Sequence, residues 1–178
     1  MSLTPKYIPH YTVADYEQWS GDWELWQGTA VAMTPSPFGR HQFVLVNLVS
    51  ELRAALQGSD WHVLAEIDWR VDETTVVRPD AVVLVGGIPE RHVEQAPVLI
   101  AEITSEATGE KDRSAKFELY QQESVRNYWI IDPATSTLDC FVLNDLKRYN
   151  SAHLVDDHLS FTGPNGRPIR IESAKLFK

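Results

Sequence analysis

Two carboxylates stand where this sequence is otherwise apolar. Asp80 sits behind a proline in VVRPDAVVLV, residues 76–85, at the head of the uninterrupted apolar run Ala81 to Val85, and Glu102 interrupts the run Val98 to Ile103. A lone carboxylate in such surroundings is costly unless a cation or water compensates its charge. An arginine such as Arg70 or Arg78, or a strand end open to solvent, would account for either acid taken alone. A third group draws the two together. In EKDRSAKFELYQQ, residues 110–122, Asp112, Lys116 and Tyr120 recur at i, i+4 and i+8 and so project from one helix face, leaving Ala115 and Leu119 to cover the core. This helix follows the Glu102 strand directly, so Lys116 can lean over the sheet end that carries both acids. Two carboxylates and an ammonium at one point suit metal-dependent phosphoryl transfer. Mg²⁺ or Mn²⁺ takes oxygen ligands, typically one or two carboxylates with a backbone carbonyl and waters. It makes hydroxide available near neutral pH, and a lysine orients that water or stabilises charge growing on the phosphate oxygens.

The elements needed to position these groups can be read from the apolar period. Thr12 caps a short helix in TVADYEQW, and WELWQGTAVAM alternates about a glycine as a small hairpin. A turn-rich TPSPFGR leads into an amphipathic helix from His41 to near Gly58, with Phe43, Val46, Leu48, Val49, Leu52 and Leu56 as its apolar positions. Residues 61–71 alternate with period two and predict one strand, with His62, Glu66, Asp68 and Arg70 on its polar side. VVRPDAVVLV and PVLIAEITS predict two buried strands, a helix spans roughly Gly109 to Glu123, and YWIID is a short strand closed by Asp132-Pro133. LDCFVL, KRYNSAHLV and RPIRIE predict β-strands joined by turns. The fold class expected is α/β: a mixed central sheet flanked by helices, with an N-terminal helix and hairpin and a C-terminal β extension.

Composition bounds the function. The 178 residues are 43% hydrophobic, enough for one ordinary core, and a single domain over residues 1–178 is expected. One cysteine, Cys140, excludes an internal disulfide framework and reads as a buried thiol in a strand. No stretch approaches a membrane span and the N-terminus lacks an apolar signal core, so a cytoplasmic protein is expected. The net charge of −9 argues against a general nucleic-acid-binding surface, so a polyanion must be met by a local basic patch or a metal.

TVADYEQW, WELWQGTAVAMTPSP, RHQFVLVNL, VVRPDAVVL, APVLIAEITS, DRSAKFELYQ and VRNYWIIDP, in this order and spacing, resemble the Uma-type endonuclease family, a bacterial group abundant in cyanobacteria. That family is assigned to the restriction-endonuclease-like PD-(D/E)XK superfamily, and the resemblance runs from about Tyr11 to Phe177. It implies that Pro79-Asp80 is the superfamily's PD and Glu102 its second acid. The position two residues after Glu102 is Thr104 where the short motif has lysine; Lys116, on the following helix, is the matching residue. The resemblance places Glu24 near the metal as an accessory ligand or water-positioning group, and turns His41 to the same cleft. It implies a Mg²⁺- or Mn²⁺-dependent endodeoxyribonuclease with DNA as partner, a homodimer being consistent with cutting both strands. Asp80 and Glu102 would hold the metal, the Ile103 carbonyl would complete the site, and Lys116 would assist the attacking water. The chain departs from the family at Ser105-Glu106-Ala107-Thr108, where Ser-Pro-Ser-Thr is usual and an extra carboxylate would repel substrate if it faced inward.

The residues alone leave other readings open. Glu24 reads equally as a hairpin surface residue, His41 as a helix-start hydrogen-bonding residue, Glu66 as solvated, Tyr120 as a core-edge aromatic, and the tryptophans at 19, 23 and 26 as an aromatic cluster. Two alternatives to a DNA nuclease follow. A catalytically inactive interaction module would close both acids in salt bridges and show an exposed apolar patch. A hydrolase of a smaller phosphoester would have a closed pocket. A nuclease would instead show a basic rim from Arg40, Arg78, Lys111, Arg113 and Lys116.

Overall fold

A computed structural model describes residues 9–33, 39–104, 114–152, 154 and 156–178 of the chain. The departures noted at Ser105 to Thr108, and Lys111, Asp112 and Arg113, lie outside the described residues. Helix α1 (Val13–Tyr16) starts after Thr12, whose backbone N–H donates to Asp15 Oδ2 at 2.8 Å. The hairpin follows as expected: β1 (Trp23–Trp26) pairs antiparallel with β2 (Thr29–Ala32) about Gln27 and Gly28, at φ 46° and 79°. Such a two-residue turn needs positive φ at both positions. A Cβ on Gly28 would also run into the His10 imidazole. Gly28→Ala should therefore destabilise the fold by more than ~1 kcal/mol, the backbone strain remaining even if His10 swings aside. A thermal melt should show the loss, at ~2–4 °C per kcal/mol.

Helix α2 (Gly39–Ala55) forms where the period placed it, but its core face is rotated from the one expected. Val44, Leu45, Leu48 and Leu52 are buried, while Phe43 and Val46 are 47% and 64% exposed. The next stretch departs from the expectation more sharply. Residues 61–71 are two strands, β3 (Trp61–Ala65) and β4 (Trp69–Asp72), broken at Glu66, whose φ of 49° lies in the left-handed region. VVRPDAVVLV likewise divides into β5 (Thr75–Val77) and β6 (Ala81–Val85). Pro79 between them has no N–H for a ladder. Both breaks switch sheets: β4 and β5 join the hairpin in the order β2-β1-β5-β4, while β3 and β6 pair with each other in a larger sheet. The Glu66 N–H donates to the Asp80 carbonyl at 3.0 Å and ties the two crossing points together.

The larger sheet is completed by β7 (Leu99–Ile103), β8 (Asn127–Asp132), β9 (Thr137–Leu143) and β10 (Tyr149–Ala152), in the order β10-β9-β8-β7-β6-β3. It is mixed. Strands β7 and β8 run parallel, with α3 (Ala115–Gln122) on the chain between them, and the other neighbours are antiparallel. Beyond it β11 (His158–Thr162) pairs with β12 (Pro168–Glu172) and α4 (Ala174–Phe177) packs on α2. The sequence reading missed β11 and α4, each too short to show a clear period.

Strand alternation assigns each side chain to a face. Ala81, Val83, Leu99, Ala101, Ile103, Trp129 and Ile131 join the core under α2, while Val82, Leu84, Ile100, Tyr128 and Ile130 form a second core with Tyr120 of α3. Glu102 is in phase with Ile100 and lies opposite Ile130, so its side chain belongs to the α3 side. Cys140 is buried in β9, which pushes its thiol up to about 12, with the neighbouring Asp139 charge adding to the rise.

Candidate active site

Three elements bring their acids to one region. Strand β7 supplies Glu102, the crossing between β5 and β6 supplies Asp80, and β1 of the smaller sheet supplies Glu24. Glu102 is 3% exposed and Glu24 5%, so neither is a surface residue. Lys116 reaches in from α3 and is 7% exposed. Its ammonium lies 2.9 Å from Glu102 Oε1 and 3.4 Å from Glu24 Oε1. The expected lean of this lysine over the Glu102 strand is therefore present. The helix turns a different face inward from the one expected: Lys116 and Tyr120 are its buried residues, Ala115 is exposed, and Leu119 is partly covered.

Each carboxylate is held by fixed donors. Glu102 Oε1 accepts from the Lys116 ammonium and, at 2.6 Å, from the Tyr120 hydroxyl. Glu24 Oε1 accepts the Arg78 backbone N–H at 2.8 Å and Oε2 accepts the Trp26 indole N–H at 3.0 Å. Asp80 Oδ2 accepts the Ile103 backbone N–H at 2.6 Å, which places Asp80 beside the end of β7. Its Oδ1 lies 3.3 Å from His41 Nε2, and its side chain, 18% exposed, is the most open of the three acids. His41, from the first turn of α2, is thus at the site. For Ile103 the contact shown is through its N–H, while the role expected for it was through its carbonyl.

The arginines expected as partners are engaged elsewhere. Arg78 donates through Nε to Asp68 at 2.7 Å and through Nη1 to Asp22 at 3.0 Å, and Arg70 pairs with Glu73 at 2.7 Å. Burial disfavours the Arg78 charge, but these carboxylates outweigh it and hold the guanidinium firmly protonated. Arg40 donates to the Pro133 carbonyl at 2.8 Å. Glu66 is exposed, in line with a solvated residue. Trp19 and Trp23 do build an aromatic cluster, with ring centroids 5.9 Å apart and Tyr11 and Tyr16 beside them, but Trp26 leaves it to hold Glu24.

Tyr120 is the site member that the sequence reading set aside. The signal was its place four residues after Lys116 on one helix face. Burial, then the neighbouring Glu102 charge, holds its hydroxyl well above the ordinary tyrosine range, so it remains a donor at neutral pH. Tyr16 is pushed up to about 12 by burial and its bond to Asp68, and burial also raises Tyr149. Since these folded-state values exceed the unfolded one near 10, their stabilising effect is complete below that pH. It is lost as pH rises from there through the folded values. Spectrophotometric titration should show Tyr16, Tyr120 and Tyr149 ionising only beyond the ordinary phenol range, together with alkaline unfolding. Ionisation of all the tyrosines in one ordinary step before unfolding would contradict this.

Among the described residues, no group of three or more His, Cys, Asp or Glu side chains is placed to hold a metal ion alone. The donors present, hard carboxylate oxygens, are nevertheless of the kind Mg²⁺ and Mn²⁺ take, and such ions need only one or two carboxylates when water and phosphate fill the remaining positions. Among the described residues, Glu24 and Glu102 share the Lys116 ammonium, and Asp80 lies beside the end of β7 that carries Glu102.

Comparisons with known proteins agree with this architecture. The family Uma2, described as "Putative restriction endonuclease", matches residues 13–168. No curated protein matches the chain. Among solved structures, the crystal structure of a putative nuclease belonging to DUF820 from Anabaena variabilis ATCC 29413 superposes with a TM-score of 0.75. Identity is 15%, over 94% of this chain and 97% of that one, a likeness of fold.

Proposed function

Since the chain belongs to the Uma2 family of putative restriction endonucleases, we propose that it is a hydrolase that cuts DNA phosphodiester bonds with the help of Mg²⁺ or Mn²⁺. The observation that carries this reading is the reach of Lys116 to Glu102, 2.9 Å from helix to strand. It supplies, from α3, the ammonium missing at Thr104, beside the acid that would meet a cation. Asp80 and Glu102 would hold the cation, with the Ile103 carbonyl as a further oxygen. When bound, the ion supplies hydroxide near neutral pH and positive charge for the phosphate oxygens.

The chain's own residues do the rest. Lys116, gripped between Glu102 and Glu24, presents one fixed ammonium that orients the attacking water or faces the phosphate oxygens as their charge grows. His41 and the Ile103 N–H hold the two oxygens of Asp80. Glu24 acts on Lys116 and on the Arg78 backbone, a supporting role for the residue expected as accessory ligand. The chain's net charge of −9 repels the DNA backbone, and a cation held at the carboxylates would offset it locally, so metal and substrate would bind cooperatively.

One set of contacts favours a second reading, an interaction module without catalysis. Glu102 is closed off by Lys116 and Tyr120, Arg78 is consumed by two aspartates, and Phe43 and Val46 stand exposed one turn apart on α2. Calorimetric titration of Mn²⁺ into the purified protein, beside a plasmid-nicking assay, separates the two. Binding with nicking supports the nuclease. Binding without nicking redirects the search to smaller phosphoesters, and no binding leaves the module.

A further inference from the structure

Tyr120 is the group that the proposed chemistry does not yet use. Its side chain is fully buried, and its ring is wedged between Trp69 at 6.0 Å and Tyr128 at 5.0 Å between centroids. Neither neighbour lets the phenol swing, and the Tyr120 carbonyl is itself fixed by the Val125 N–H at 2.9 Å. The hydroxyl ends 2.6 Å from Glu102 Oε1, nearer than the Lys116 ammonium at 2.9 Å. Two donors one helical turn apart thus converge on a single carboxylate oxygen. A carboxylate gripped by one donor can still rotate about its last torsion, which is broad and soft; a second donor from a rigid ring removes that freedom.

We propose that Tyr120 is a positioning residue: together with Lys116 it locks the Glu102 carboxylate on the α3 side, and so sets both the cation affinity of Glu102 and the place of the Lys116 ammonium. This inference rests on the metal-dependent reading above. The phenol O–H donates to Glu102 Oε1, the same oxygen that accepts from Lys116. Partners of ligating carboxylates behave this way generally, and their loss costs roughly 10–100-fold in metal affinity or activity.

The test is Tyr120→Phe, which keeps the ring and removes the hydroxyl, beside Tyr149→Phe. Tyr149 lies in the same aromatic layer but donates to the Val125 carbonyl at 2.8 Å. Two readouts are taken: the Mn²⁺ dissociation constant by calorimetry, and the Glu102 carboxyl carbon-13 resonance of metal-free protein at neutral pH. Tyr120→Phe should weaken Mn²⁺ binding about 10–100-fold and move the resonance, whereas Tyr149→Phe should do neither even if both lower the melting temperature alike. Parent-like Mn²⁺ affinity in Tyr120→Phe overturns the proposal, as does an equal loss in both variants, which would mark a packing effect. A parent that binds no Mn²⁺ overturns the metal-dependent reading and the affinity claim with it. The resonance then decides alone: unmoved, it also removes the positioning role; moved, it upholds Tyr120 as the anchor of Glu102.

Discussion

Asp80→Asn and Glu102→Gln should each remove plasmid nicking, by at least ~10²–10³-fold, and reduce Mn²⁺ binding in parallel while leaving the protein folded. The substitutions delete charge and keep shape. In Glu102→Gln the Lys116 ammonium still faces Glu24 at 3.4 Å, so no buried cation is stranded. In Asp80→Asn the amide oxygen can still accept the Ile103 N–H that Asp80 Oδ2 accepts at 2.6 Å, and the side chain, 18% exposed, can turn its amide N–H groups toward solvent. Circular dichroism and melting temperature close to the parent's would confirm that activity was lost by chemistry and not by unfolding. Variants that bind Mn²⁺ and nick like the parent would sink the assignment of these two acids.

Lys116→Met should be the most destabilising change at the site and should abolish nicking as well. Methionine fills most of the lysine's volume, but Glu102 and Glu24 lose the cation they share while remaining buried. Removing one partner of a buried ion pair costs ~3–5 kcal/mol, because an uncompensated charge is left behind. At ~2–4 °C per kcal/mol for a chain of this size, the melting temperature should fall by roughly 6–20 °C. The double variant Lys116→Met with Glu102→Gln should recover part of that loss, since one stranded charge has been neutralised. A single variant that melts with the parent would mean that Lys116 is held loosely and reaches the acids only in passing.

The candidate site was partly written in the chain. Asp80 and Glu102 were legible because a carboxylate in an apolar run is expensive enough to demand a reason, and Lys116 because its helix had to follow the Glu102 strand closely. Tyr120 was harder to see. A tyrosine on an apolar helix face is normally core, and nothing in its spacing says that a carboxylate oxygen will lie 2.6 Å from its hydroxyl. The inward face of α3 was misread for the same reason. A rule that turns Ala115 and Leu119 to the core gives way when the opposite wall carries two acids, since pairing there offsets the cost of burying an ammonium.

Local sequence determined the elements whose causes are local: the turn at Gln27-Gly28, the Thr12 start of α1, the presence of α2 and β7, and the buried Cys140. Their physics is torsional preference and apolar period, both of which act within a few residues. Tertiary structure alone decided how two apparently continuous strands were shared between sheets. The alternation in residues 61–71 continues smoothly through Glu66, but sheet membership depends on which distant strand provides hydrogen-bond partners, and β6 and β5 pull the two halves apart. That division leaves Arg78, Pro79 and Asp80 as a link between sheets, with Glu24 arriving from the smaller sheet to meet the Arg78 N–H. Period and composition report what must be buried; they carry no information on which buried charges will be neighbours.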